Sequence, residues 1–139
     1  MFKDHAVFVL RDGLKVLFVQ RSKSKKTLPN IWAFPSGTVE EGERPEETAK
    51  REAREELGVE IEVAETLATV ELQEFPVRLH FIVGTIKSGE VEIKQPEEIQ
   101  VLRWFTFEEF FAEYTDDQIG HGLVWLRKNP EVWRVKFSV

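Results

Sequence analysis

Apolar and polar positions along the chain fall into short segments whose period changes from one to the next. Ala6 to Leu10 and Val16 to Val19 are unbroken apolar runs separated by Arg11-Asp12-Gly13, and they predict a hairpin of buried strands. Ile31 to Phe34 is a further short apolar piece, ended by Pro35-Ser36-Gly37. From Pro45 the signals become helical: proline in the first turn, Glu46 and Glu47 at the positive end of the dipole, and Gly58 where a C-terminal cap belongs. Ala68, Val70 and Leu72 then alternate with Thr69, Glu71 and Gln73, and Val77, Leu79, Phe81 and Val83 enclose Arg78 and His80. These are two half-polar strands around a turn at Phe75-Pro76. Val101 to Phe107 predicts another strand, and 107–114 and 116–128 predict helices. Trp133, Val135, Phe137 and Val139 alternate with Arg134, Lys136 and Ser138 as a strand would. Strands interrupted by a mid-chain helix and followed by more helix predict an α/β domain with helices on a mixed β-sheet.

Composition narrows the class. A chain of 139 residues with 42% hydrophobic and 12% aromatic residues fits one packed domain, 1–139, with 130–139 as a candidate extra strand. The net charge of -6 argues against wrapping nucleic acid by charge, since only Lys23, Lys25 and Lys26 cluster. The absence of cysteine excludes disulfides, thiolate metal sites and a cysteine nucleophile. The apolar run Ala6 to Leu10 is too short for a signal peptide or a membrane span, so no membrane partner and a cytoplasmic location are expected.

The chemistry concentrates in residues 37–59, GTVEEGERPEETAKREAREELGV, which hold eight glutamates. At about 100° per residue, Glu52, Glu55 and Glu56 share one arc of the helix, beside an apolar arc of Ala49, Ala53 and Leu57. A merely solvated face would pair each acid with a base three or four residues away. Glu46 can reach Lys50 and Glu47 can reach Arg51, but Glu52 and Glu56 have no such partner within the helix. Three carboxylates at i, i+3 and i+4 repel one another unless a divalent cation lies between them, and all-oxygen ligands select a hard ion, Mg²⁺ or Mn²⁺. That donor set points to phosphoryl or pyrophosphate chemistry.

The spacing of Gly37, Glu43, Arg51-Glu52, Ala53, Glu55-Glu56 and Gly58-Val59 resembles the signature box of the Nudix hydrolases at every defined position. The resemblance implies an α/β/α sandwich around a central mixed sheet and hydrolysis of a nucleoside diphosphate linked to a further group. By position it implies Glu52, Glu55 and Glu56 as metal ligands, with Glu55 also catalytic and Arg51 orienting a catalytic glutamate. Glu43 would support the loop and ligands from behind, and Gly37 and Gly58 would permit backbone shapes that side chains resist. Ser36, at a position commonly glycine in the family, would offer a backbone carbonyl to the metal. Glu98, six residues before Trp104, stands where similar enzymes carry a further acid that assists the metals or acts as base.

For the substrate, Phe34 and Phe75 are candidates to stack on a base or to join the core, and Arg21 and Arg78 to hold phosphate or a base edge. Phe34-Pro35 before the box, with Glu74-Phe75-Pro76 and Arg78 after it, resembles the MutT-type enzymes. A (deoxy)nucleoside triphosphate cleaved to monophosphate and pyrophosphate is therefore the first expectation. The alternatives are ADP-ribose, a nucleotide sugar, a dinucleoside polyphosphate, or a nucleotide-sensing module without turnover. His121 either reads a base or lines a helix. A homodimer is compatible with the resemblance.

Overall fold

The computed structural model describes residues 1–137. β1 (Lys3–Asp12) and β2 (Lys15–Arg21) form the expected hairpin, closing through Asp12 opposite Lys15 around Gly13, whose φ of 63° is left-handed. β3 (Trp32–Ala33), β4 (Ser36–Thr38), α1 (Pro45–Leu57), β5 (Glu60–Leu72), β6 (Val77–Ser88) and β7 (Ile99–Phe105) follow. α2 (Phe107–Glu113), α3 (His121–Lys128) and the short α4 (Arg134–Phe137) complete the order, with 3₁₀ turns at Asp116–Gln118 and Pro130–Val132.

The strands make one mixed sheet ordered β3-β2-β1-β6-β5, with β4 also on β1 and β7 also on β2. β1 and β6 run parallel, from Lys3 opposite Val77 to Leu10 opposite Gly84, and the other strand pairings are antiparallel. Because β1 is covered on both faces, it reads as a continuous apolar run. Ala6, Phe8 and Leu10 pack with Ala49, Ala53 and Leu57 of α1, while Val7 and Val9 join the opposite core with Phe107, Phe110, Leu123 and Leu126. The outcome is the expected α/β/α sandwich. No helix among the described residues is long and apolar enough to cross a membrane.

Four expectations need correction. The alternation at 133–137 belongs to helix, not strand: Trp133 and Phe137 are buried against Phe107, with ring centroids at 4.7 and 5.1 Å, while Val135 is 87% exposed. Positions four apart share a helix face as well as a strand face, so the pattern fitted both. Ser138 and Val139 lie outside the described residues. β5 begins at Glu60 rather than Ala68, and register shifts after Glu60, Val63 and Thr66 scramble the alternation that would have revealed it. The helix expected at 116–128 is broken at Ile119-Gly120, where Ile119 bridges Trp32 and Gly120 N donates to Trp32 O at 2.9 Å. β7 stops at Phe105, because the Thr106 hydroxyl accepts from Glu109 N and caps α2, making Phe107 a buried helical residue.

Candidate active site

α1 is built as its sequence predicts. Pro45 starts it, Glu47 accepts from Arg44 N at 2.8 Å, and Gly58 ends it at φ 70°, donating to Arg54 O. The apolar arc of Ala49, Ala53 and Leu57 faces the sheet at zero exposure, and this burial fixes the rotation that carries Glu52, Glu55 and Glu56 to one cavity wall. The chain after β6 then returns to the end of α1: Glu92 N donates to Leu57 O and Lys94 N to Glu56 O. That return delivers Gln95 and Glu98 to the opposite wall. The resulting cavity of 320 Å³ also includes Arg21, Phe34 and Ser36.

Arg51 organises the first half of the acidic stretch. Its Nε and Nη2 donate to the two oxygens of Glu43 at 2.9 and 3.1 Å, its Nη2 also to Thr38 O, and its Nη1 to Glu52 Oε1 at 2.7 Å. Thr48, fully buried, adds its hydroxyl to Glu43 at 2.6 Å. Arg51, followed by the Thr48 hydroxyl, holds the Glu43 carboxyl down at about 2, and Glu43 in turn raises the Arg51 guanidinium above its usual range. Two sequence-based pairings change here. Arg51 turns inward rather than to Glu47, and Glu52 finds its base at the adjacent residue, which the long arginine reaches without helical spacing. Gly37 is required by this packing: a Cβ there would lie 2.8 Å from Glu52 Oε1 and closer still to its carbons.

Glu56 is the opposite case. It is 6% exposed and burial, with Glu52 facing it, pushes its carboxyl up to about 10. Glu98 and Glu55 add to this through their charge. Among the described residues no three acidic or histidine side chains already stand as a closed ion cage, since Glu52 is turned onto Arg51 and Glu55 is 3.5 Å from it. The donor set nevertheless fits a hard divalent cation: a buried carboxyl faces other carboxyls across a polar cavity, with no cation of its own.

The remaining candidates divide. Phe34 is 4% exposed, stacks on Phe18 at 5.1 Å and borders both the acidic cavity and a second, apolar cavity of 220 Å³. Ser36 and Arg21 also border both. The Arg21 guanidinium is engaged with the carbonyls of Leu28 and Thr27, at 3.0 and 2.7 Å, so it shapes the loop beside the cavities. Phe75, 44% exposed, lies against His121 with ring centroids 4.4 Å apart and planes tilted by 30°, both lining the apolar cavity. Arg78 is not brought together with them. Its neighbours Val77 and Leu79 face that cavity, so strand alternation turns Arg78 to the other face, where Asp4 and Glu71 hold it at 3.1 and 3.0 Å.

Two histidines line the apolar cavity, of which only His121 is a sequence candidate. His121 lines the apolar cavity at the start of α3, flanked by Gly120 and Gly122. His5 lines it too, half-buried, and burial lowers its pKa. Its position two residues before Val7, hence on the same strand face, was the only available signal.

Known proteins share this fold. A family model of the NUDIX domain matches residues 2–125. Nudix hydrolase 2 of Arabidopsis thaliana is 34% identical over 109 residues, covering 76% of this chain and 39% of that protein. An uncharacterized Nudix hydrolase of Yersinia pestis is 33% identical over 128 residues, covering 88% of this chain and 70% of its own. The chain thus spans well under half the length of the Arabidopsis relative. The crystal structure of DR0079 from Deinococcus radiodurans aligns with a TM-score of 0.70 at 27% identity, over 91% of this chain and 82% of that one. Fold, acidic cavity and sequence spacing converge, and the chain belongs to the NUDIX domain family.

Proposed function

We propose that this chain, acting as one domain, hydrolyses the pyrophosphate linkage of a nucleoside diphosphate derivative with Mg²⁺ or Mn²⁺. The observation that carries the reading is the junction at Phe34 and Ser36 of two cavities of opposite character. The apolar one, with Phe75 against His121 in its lining, suits a base and ribose; the acidic one suits phosphates that arrive with a cation. Glu52, Glu55, Glu56 and the Ser36 carbonyl would hold a divalent cation, which would neutralise phosphate charge and lower the pKa of a water.

The protein's own groups do the rest. Arg51 fixes Glu52 and, through Glu43 and Thr38, ties the loop before α1 to the helix. Glu98, across the cavity from the ligand glutamates, accepts the proton of the attacking water as its oxygen bonds to phosphorus and the bridging phosphorus–oxygen bond breaks, its electron pair leaving on the departing phosphate. Stacking and apolar walls hold the nucleoside so that the diphosphate lies over the acidic wall.

A (deoxy)nucleoside triphosphate, giving monophosphate and pyrophosphate, is the first substrate to test. A second reading, a dinucleotide or ADP-ribose type of substrate, is favoured by the names of similar proteins. These include an NAD-capped RNA hydrolase of Stutzerimonas stutzeri and an NAD(P)H pyrophosphatase of Homo sapiens. The test is a panel of nucleoside triphosphates, ADP-ribose, NADH, nucleotide sugars and dinucleoside polyphosphates with Mg²⁺, scored by products. Turnover that Glu55→Gln removes supports the reading. Nucleotide binding without turnover of any member favours a sensing module instead.

A further inference from the structure

The basic loop after β2 contributes to the acidic cavity in a way that charge counting alone does not show. Ser22 N donates to Glu98 O at 2.9 Å and Lys23 N to Gln100 Oε1 at 2.7 Å, so the loop is fastened to the segment that carries Glu98. The β2–β7 register shifts between Gln20 and Arg21, where the loop departs. Leu28 and Asn30 hold φ of 49° and 62°, left-handed values that asparagine tolerates but leucine adopts rarely. Arg21 grips the loop's far side through the Thr27 and Leu28 carbonyls, and Gln100 reaches Asn30 Oδ1 at 2.9 Å. Ser22 is 5% exposed, and Lys25 N donates back to its carbonyl at 3.1 Å. The product of this bracing is one contact: the Lys25 ammonium is ion-paired with Glu98 Oε2.

We propose that Lys25 is a positioning residue that holds the Glu98 carboxylate at the rim of the acidic cavity, ready for the attacking water. The inference rests on the hydrolase reading above. Glu98 is half exposed and shares its cavity with the carboxylates of Glu52 and Glu55, whose like charge drives it outward. Lys25 opposes that drive, with its own side chain only 22% exposed. An ion pair at such a rim contributes little to folding, so its consequence is orientation rather than stability. It also brings together residues 73 positions apart, which explains why the cluster Lys23, Lys25 and Lys26 read only as a basic patch.

The experiment takes wild-type turnover, with its loss in Glu55→Gln, as the baseline for the hydrolase reading. A protein without that baseline fails the reading, whereas the inference has its own structural arm. Lys25→Met is expected to lower kcat about tenfold with KM within about twofold, and Lys25→Arg to restore most of it. In a Glu98→Gln background, Lys25→Met is expected to cause no further loss, because the lysine acts through the glutamate. A crystal structure of Lys25→Met should show Glu98 turned away from the cavity, with the fold and melting temperature retained. A full further loss in the Glu98→Gln background, a rise in KM alone, unchanged kinetics, or Glu98 undisplaced in the variant would each overturn the proposal.

Discussion

Glu43 and Glu56 lie on the same motif, thirteen residues apart, and the fold drives them in opposite directions. Glu43 receives Arg51, the Thr48 hydroxyl and Glu40 N, and its carboxyl is held at about 2. Glu56 is more deeply buried, faces other acids, and is pushed up to about 10. The residue type is the same, so the difference lies in the burial of Glu56 and in the reach of the Arg51 guanidinium to Glu43. The N-terminal half of the acidic stretch is complete as folded, and under the proposed function a cation would complete the C-terminal half.

The largest effect that separates the halves is on catalysis. Glu56→Gln and Glu55→Gln should each lower turnover by roughly 1000-fold, the scale for removing a preorganised electrostatic group. In the metal-free protein at pH 8, Glu56→Gln should melt no lower than wild type, since a neutral amide replaces a carboxyl that still holds its proton. Steady-state kinetics and a thermal melt check the two parts, and a strongly destabilised variant would break the contrast.

A smaller effect is expected from the completed half. Arg51→Ala leaves Glu43 and Glu52 without their base, and should lower activity about 10- to 100-fold, the usual cost of losing a residue that orients ligands. Unlike Glu56→Gln, it should also lower the melting temperature, because Glu43, which also holds the Thr48 hydroxyl, loses its partner in a part-buried network.

The smallest effect, and the one that sharpens the comparison, is on stability against pH without metal. Glu43 is depressed, so its contribution is present above its ordinary 4.5 and is lost as pH falls toward about 2. Glu56 is raised, so the folded state binds the extra proton, and stability declines as pH rises from 4.5 toward about 10. Denaturant melts across both windows should show the alkaline decline vanish in Glu56→Gln and the acid decline shrink in Arg51→Ala.

How much of this was legible in the sequence follows from range. The hairpin, α1 and its Gly58 cap were legible because local period and turn chemistry decide them. The triad of Glu52, Glu55 and Glu56 was legible because helical spacing puts its members on one arc. The start of β5 was hidden by bulges, and the C-terminal helix by a pattern that two periods share. The inward turn of Arg51 depended on tertiary partners such as Thr38 O. The face of Arg78, the His5 wall and the Lys25 pair depend on β1–β6 register and a loop path, which no local pattern encodes.

The most direct test of the account is proton counting on metal binding. Mn²⁺ titrated calorimetrically into the metal-free protein near pH 7.5, in buffers of different ionisation enthalpy, should release about one proton per site, because Glu56 must give up its proton to become a ligand. Glu56→Gln should abolish that release. Binding without proton release in the wild type, or release unchanged in Glu56→Gln, would contradict the claim that the C-terminal half of this acidic helix is built around a cation.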